Sequence, residues 1–166
     1  MATPQGIRHI EECLRGRSFI GPVIDLGCGD ESQYYKHLFR GLEYITLDMA
    51  ETNGVKPDIT ADIMNMPEIP SNQFGVALLL DVIEHLPDPF AAFREAARIL
   101  QPRGILICTS VAAWPLHKHP FDYWRFMPDG LIYLCAQAQL TVYTGGMHQY
   151  AETKAQTVYV GAVKGI

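Results

Sequence analysis

The chain has no C-x-x-C pair, no excess of basic residues and no apolar run long enough to cross a bilayer. Each absence removes a class of function. The four cysteines, Cys13, Cys28, Cys108 and Cys135, are widely spaced and give no disulfide framework. No signal peptide is recognisable at the start, so free thiols in a reducing cytoplasm are expected. A formal charge of −5 and a pI near 5.6 argue against a broad electrostatic grip on nucleic acid, which draws on lysines and arginines at phosphates. The longest apolar run, VALLLDVI from Val76, is broken by Asp81 and is far shorter than the ~20 residues of a membrane span. Internal repeats and low-complexity tracts are also missing.

What is present suits a single domain. With 166 residues, 48% of them apolar and 19% charged, residues 1–166 can bury one sizeable core. The segment TPQGIRHIEECLRG reads as a short amphipathic helix, capped by Thr3, begun by Pro4 and striped with Ile7, Ile10 and Leu14. Apolar or alternating runs at 22–26, 43–48, 58–62, 74–80 and 104–110 predict five strands. Those at 74–80 and 104–110 are continuous, as parallel strands covered on both faces require. Between the fourth and fifth strands, Asp88 caps a helix begun by Pro89, with Phe90, Phe93, Ala97 and Leu100 facing inward. A helix at 128–138 and two alternating strands follow, the strands forming a terminal antiparallel pair. The class is α/β: a Rossmann-like, doubly wound, mostly parallel seven-stranded sheet. Only nine residues separate Asp48 from Asp58, too few for a crossover with its own helix, so the connections between strands two and four are expected to be trimmed.

Ligands in such sheets bind beyond the carboxyl ends of the strands, and this chain places Asp25, Asp48, Asp62 and Asp81 at those ends. DLGCGD makes a glycine turn after the first strand. A nicotinamide dinucleotide is disfavoured there: G-x-G-x-x-G from Gly27 fails at Ser32, and Asp30 and Glu31 sit where a pyrophosphate would lie. A ligand carrying a ribose, an ammonium and a sulfonium, but no phosphate, suits these residues better.

VIDLGCGD, YITLD, ITADIMNMP, FGVALLLDVIEHLPDP and AAFREAARILQPRGILICTS together resemble the ordered motifs of class I S-adenosylmethionine-dependent methyltransferases, small type 11-like members in particular. The likeness spans nearly the whole chain. It implies S-adenosyl-L-methionine as cofactor, with Asp25, Gly27, Cys28 and Gly29 at its methionine end and Asp48 with Met49 at the ribose. It further implies Asp62 with Ile63 at the adenine, and Asp81 with Val82 as the floor near the sulfonium. The segment WPLHKHPFDYWRFMPDGL resembles a subgroup that accompanies surface-glycan assembly, which implies a sugar or lipid-linked sugar acceptor. Against that subgroup, Met127 replaces a helix-capping threonine, while Gln139 and Arg103 replace turn glycines.

Methyl transfer to oxygen needs a base as well as alignment, and His85, His117 and His119 are the candidates. In the alternative reading of His85, it and Glu84 only begin the next helix and orient the loop. A zinc or iron site needs three or four ligands, for which His117, His119 and Asp122 supply three in principle. Pro120 and the missing cysteine partner argue against it, and no metal is expected. Trp124 and Phe126 are expected in the core. Tyr123 and Arg125 are the expected substrate contacts, although the Arg125 fork can instead lock Asp122 in a structural pair.

The expected activity is therefore methyl transfer to an oxygen or nitrogen of a small-molecule or glycan acceptor. The alternative is a catalytically silent cofactor-binding partner or regulatory protein. An open mouth suits a large acceptor, whereas a homodimer would close it over a small one.

Overall fold

The computed structural model describes residues 4–30, 32–150 and 154–166. Thr3, expected as a helix cap, and Glu31, expected near the glycine turn, lie outside the described residues. Helix α1 (Pro4–Leu14) buries Ile10 and Cys13, with Ile7 and Leu14 beside them. The strands are β1 (Val23–Leu26), β2 (Tyr44–Asp48), β3 (Ile59–Thr60), β4 (Phe74–Leu80), β5 (Leu100–Ala113), β6 (Leu140–Gln149) and β7 (Gln156–Lys164). The remaining helices are α2 (Ser32–Tyr35), α3 (Pro89–Ile99) and α4 (Pro128–Gln137).

The sheet runs β3-β2-β1-β4-β5-β7-β6, parallel from β3 to β5, with β7 antiparallel to both its neighbours. That is the expected doubly wound order with its terminal antiparallel pair. Side chains alternate between two cores: Val23, Val76, Leu78, Ile105 and Ile107 pack with α1, while Ile24, Leu26, Ala77, Leu79 and Leu106 pack with α3 and α4. Period-two alternation explains how a continuous apolar run serves both faces at once.

The β2–β3 connection is trimmed as expected, its turn closed by Thr52 and Val55 with Asn53 and Gly54 at positive φ. The chain between β3 and β4 is irregular but tied down. Arg98 of α3 donates to the carbonyls of Met66 and Ile69, each at 2.7 Å, and its partner Glu95 accepts from the Met66 amide at 2.7 Å.

Two local expectations, for Phe90 and Leu100, need correction. Phe90 is 37% exposed: it sits in the first turn of α3 and meets Tyr133 of α4 edge-on, so Ala92, Phe93, Ala96 and Ala97 make the inner face. Leu100 is buried, but as the first residue of β5. Met127 stands at the α4 cap and provides no side-chain bond, while Arg103 and Gln139 are held at φ +65° and +58°. Both positions have the left-handed backbone that a glycine would adopt freely.

Candidate active site

The strand order reverses between β1 and β4, and the loops that leave these two strands meet there. This is where open α/β sheets bind ligands. Gly27, at φ +77°, turns the chain out of β1 while its amide and that of Cys28 donate to the Leu47 carbonyl at 2.7 and 3.1 Å. Gly29, at φ +55°, faces open space, with nothing within 4 Å of where a Cβ would project. Asp48 closes the rim from β2: its carboxylate accepts from Gly29 N–H at 2.8 Å and Met49 N–H at 2.7 Å. The Cys28 thiol is buried, which chiefly pushes its pKa up to about 12 and keeps it unreactive.

Asp62 caps its own turn by accepting from Met64 N–H at 2.8 Å, and Ile63 beside it is buried. Asp81 leaves β4 at φ +54°, its amide bonded to the Thr109 carbonyl and its Oδ1 accepting from the Thr109 hydroxyl at 2.8 Å. Val82 fills the space beneath Gly27. The fourth carboxylate expected on this rim is elsewhere. Asp25 alternates toward the α1 side of the sheet, where it is buried and accepts from the Tyr44 hydroxyl at 2.8 Å. Burial pushes its pKa up to about 7, against the opposing pull of the Tyr44 bond.

Past Val82, a single 3-10 turn (Ile83–His85) carries Glu84 and His85, separate from α3. The segment 117–126 folds back onto this turn. Tyr123 N–H donates to the Glu84 carbonyl at 2.8 Å, Trp124 Nε1–H donates to the Leu86 carbonyl at 2.8 Å, and His85 Nδ1 meets the Phe121 carbonyl at 2.6 Å. Three imidazoles thereby converge. Ring centroids lie 4.9 Å apart for His85 and His117, 5.6 Å for His85 and His119, and 6.2 Å for His117 and His119. Desolvation, first of all, lowers the His85 pKa, so the ring is neutral near pH 7.

Of the two roles open to Arg125, the structure contains the intramolecular one. Its Nη2 donates to Asp122 Oδ2 at 2.8 Å, and its other N–H groups reach the carbonyls of Trp114, Pro115 and Trp124. All five donors are directed at its own loop. The Arg125 hydrogen bond holds the Asp122 carboxyl far below the usual carboxylate range, and Asp122 in turn accepts from His117 N–H at 2.9 Å. Tyr123 projects outward, about half exposed. Phe126 is in the core as expected. Trp124 is not: it lies 43% exposed and anchors the loop through its indole N–H instead.

Two participants escaped the sequence reading. Glu84 is wholly buried, with Ser110 of β5 donating to its Oε2 at 2.6 Å, and burial with Asp81 nearby raises its pKa. Trp114 stacks edge-on between His117 and Tyr150 and lines a cleft of about 480 Å³ with Ala113, Pro115, Lys154 and Ala155. Only the pairing of Glu84 with His85 in sequence hinted at the first; nothing pointed to the second. Among the described residues, Glu84, His85 and His117 also form a donor set that could hold a cation.

Comparison with known proteins bears on this geometry. Residues 24–108 match the family model described as a methyltransferase domain. The chain is 26% identical over 178 residues to the ubiquinone biosynthesis O-methyltransferase of Neisseria meningitidis serogroup C, spanning 89% of this chain and 70% of that protein. The 1,6-didemethyltoxoflavin-N1-methyltransferase of Burkholderia thailandensis superposes with a TM-score of 0.75 at 16% identity, over 98% of this chain and 78% of that one. A SAM-dependent methyltransferase of Methanosarcina mazei gives 0.72 at 13% identity and covers 99% of both chains. The family match runs from β1 into β5 and so takes in the glycine turn, the β2 acid and the β4 rim. The chain belongs to the class I S-adenosylmethionine-dependent methyltransferase family.

Proposed function

We propose that this protein transfers a methyl group to a hydroxyl oxygen of a small-molecule or sugar acceptor, with His119 as the proton acceptor. The observation that carries the proposal is the convergence of three imidazoles from two loops beside the β4 rim. His85 and His117 each have Nδ1 against a carbonyl, of Phe121 and Pro115 respectively. Among the described residues no hydrogen bond engages the exposed His119 ring, so it is the freest to take a proton.

The rim suits S-adenosylmethionine on its own chemistry. Asp48 is an acceptor-only group placed for a ribose diol, and its oxygens keep lone pairs beyond the two amide bonds. Gly29 lets a ligand approach the backbone, while Asp30 and Asp48 make the turn hospitable to an ammonium and hostile to a phosphate. Buried Ile63 with Met49 and Met64 gives the adenine side an apolar character, and Asp81 with Val82 forms the floor between the two loops. Asp25, Gly27 and Cys28 act from beneath by fixing the turn.

When bound, the cofactor supplies a methyl carbon already activated by its sulfonium. The chain's task is then to align the acceptor, exclude water and receive the proton. With the bound cofactor donating its methyl group, His119 would receive the proton that the acceptor hydroxyl gives up. The cleft beside Trp114 supports an acceptor with an apolar face, such as an aromatic ring or the C–H face of a sugar. Tyr123 borders the same segment as a substrate contact, and Arg125 shapes its wall. The relatives named for O-methyl transfer favour oxygen over nitrogen.

The test is turnover of methyl-labelled S-adenosylmethionine across matched panels of hydroxyl and amine acceptors. Hydroxyl acceptors alone should be labelled, and His119→Ala should lower kcat by at least about 100-fold. Equal rates in wild type and His119→Ala, or labelling of amines only, would overturn the reading.

A further inference from the structure

Glu84 presents an anomaly that methyl transfer does not account for. Its side chain is fully buried and its Oε2 is satisfied by Ser110, yet among the described residues Oε1 has no hydrogen-bond partner. A buried carboxylate oxygen left bare is costly, because nothing replaces the water it gave up. What lies nearest is a set of ligand atoms. His117 Nε2 is 3.9 Å from Glu84 Oε1, and one donor atom from each of Glu84, His85 and His117 lies within 4.8 Å of the others.

The backs of both rings are held. His85 Nδ1 is 2.6 Å from the Phe121 carbonyl. His117 Nδ1 is 3.2 Å from the Pro115 carbonyl and 3.3 Å from Asp122 Oδ2, a carboxylate itself fixed by Arg125. A ring that donates Nδ1–H to a carbonyl or carboxylate keeps Nε2 unprotonated and aimed, which is how metal-bound histidines are oriented. By sequence alone His117, His119 and Asp122 make three ligands in principle, a set that Pro120 and the missing cysteine partner argue against. Asp122 stands behind His117, and the missing ligand is Glu84, from the neighbouring loop.

We propose that Glu84, His85 and His117 bind one divalent cation of the zinc class. Two imidazole nitrogens and one carboxylate oxygen suit such an ion far better than calcium or magnesium, which demand oxygen-rich shells. Tetrahedral zinc with bonds of about 2.0–2.1 Å needs ligand atoms roughly 3.3 Å apart, so the three side chains draw in by less than about 1.5 Å. The set leaves a fourth position open. On the methyl-transfer reading proposed above, and resting on it, that position receives the acceptor oxygen and eases loss of its proton to His119. Cation binding itself does not depend on that reading.

The test uses the full chain, stripped with chelator and titrated with Co²⁺, followed by its visible absorption, then by Zn²⁺ competition. One equivalent of Co²⁺ should develop four- or five-coordinate bands that Zn²⁺ abolishes. Glu84→Gln, nearly isosteric, and His117→Ala should each weaken binding by at least about 100-fold, while His119→Ala and Asp48→Ala change it less than about threefold. Far-UV circular dichroism, measured on the same samples, confirms that each variant is folded. If Glu84→Gln binds Co²⁺ as wild type does, or the wild type takes up no stoichiometric ion, the site is wrong. An absence of turnover with intact Co²⁺ binding would instead count against the acceptor reading alone.

Discussion

Gly27 and Val82 leave no room for a side chain between them: a Cβ on Gly27 would lie 2.7 Å from Val82 Cγ2, at a backbone φ of +77°. The glycine turn after β1 and the floor after β4 are thus packed against each other. Gly27→Ala should cost about 2–4 kcal/mol, combining left-handed strain with overpacking, and should weaken S-adenosylhomocysteine binding. Gly29→Ala carries the strain without the clash and should cost only about 1 kcal/mol. Thermal unfolding and calorimetry on both variants separate these effects, and equal losses would mean that contact with Val82 does not matter.

Arg98 should matter more than a half-exposed arginine usually does. Its fork bridges Glu95 and the carbonyls of Met66 and Ile69, pinning the irregular chain between β3 and β4. Arg98→Met should lower stability by about 2 kcal/mol in urea unfolding. Arg98→Lys should recover less than half of that, since an ammonium cannot span the three acceptors. Full recovery by lysine would show that charge alone, and not the fork, holds the loop.

Two buried groups should give opposite pH slopes. His9 is stacked on Tyr159, its Nε2 without a hydrogen-bond partner among the described residues, near His148 and Glu12, and burial lowers its pKa from 6.5 to about 4. Between pH 4 and 6.5 the unfolded chain binds a proton here that the native chain refuses, so this contribution rises with pH and is complete above 6.5. Asp25 behaves the other way. Its native pKa of about 7 lies above the ordinary 3.8, so its contribution is present below pH 3.8 and is lost as pH rises to 7. The stability difference between wild type and His9→Phe should therefore grow with pH between 4 and 6.5, by of the order of 2 kcal/mol. The difference between wild type and Asp25→Asn should shrink between 3.8 and 7. Denaturant titrations at five pH values decide both signs.

Arg103 and Gln139 hold left-handed backbone at φ +65° and +58° without the residue best suited to it. Arg103→Gly and Gln139→Gly should each stabilise by about 0.5–1 kcal/mol, or about 1–4 °C in Tm, whereas alanine at either position should give no gain. A gain from alanine equal to that from glycine would rule out backbone strain as the cause.

The strands were legible because their signal is local. Phe74 to Leu80 is a continuous apolar run, and burial on both sides of the sheet is what such a run means. The glycine turn and Asp48 were equally plain, since each lies where a strand must end. Asp25 misled because its polarity suggested a rim position, whereas strand alternation turns it inward onto Tyr44, a partner that becomes visible only once β1 and β2 pair. Phe90 misled for a similar reason: it has the right helical spacing, but the first turn of α3 meets Tyr133 and not the core. The histidine cluster joins residues from two loops held together by backbone bonds to Glu84, Phe121 and Leu86, and no periodicity in the chain encodes that meeting.

The bonds that seat segment 117–126 on the β4 turn are made by main-chain groups, the Trp124 indole and the His85 ring, while the Arg125 clamp closes the segment on itself. Its path is therefore set independently of the exposed side chains at Leu116, Lys118, Phe121 and Tyr123. Substitutions at those four positions should cost little in folding, and on the proposed acceptor reading they would change which acceptor fits. On that reading, selectivity is free to drift in this scaffold while the histidine cluster stays put.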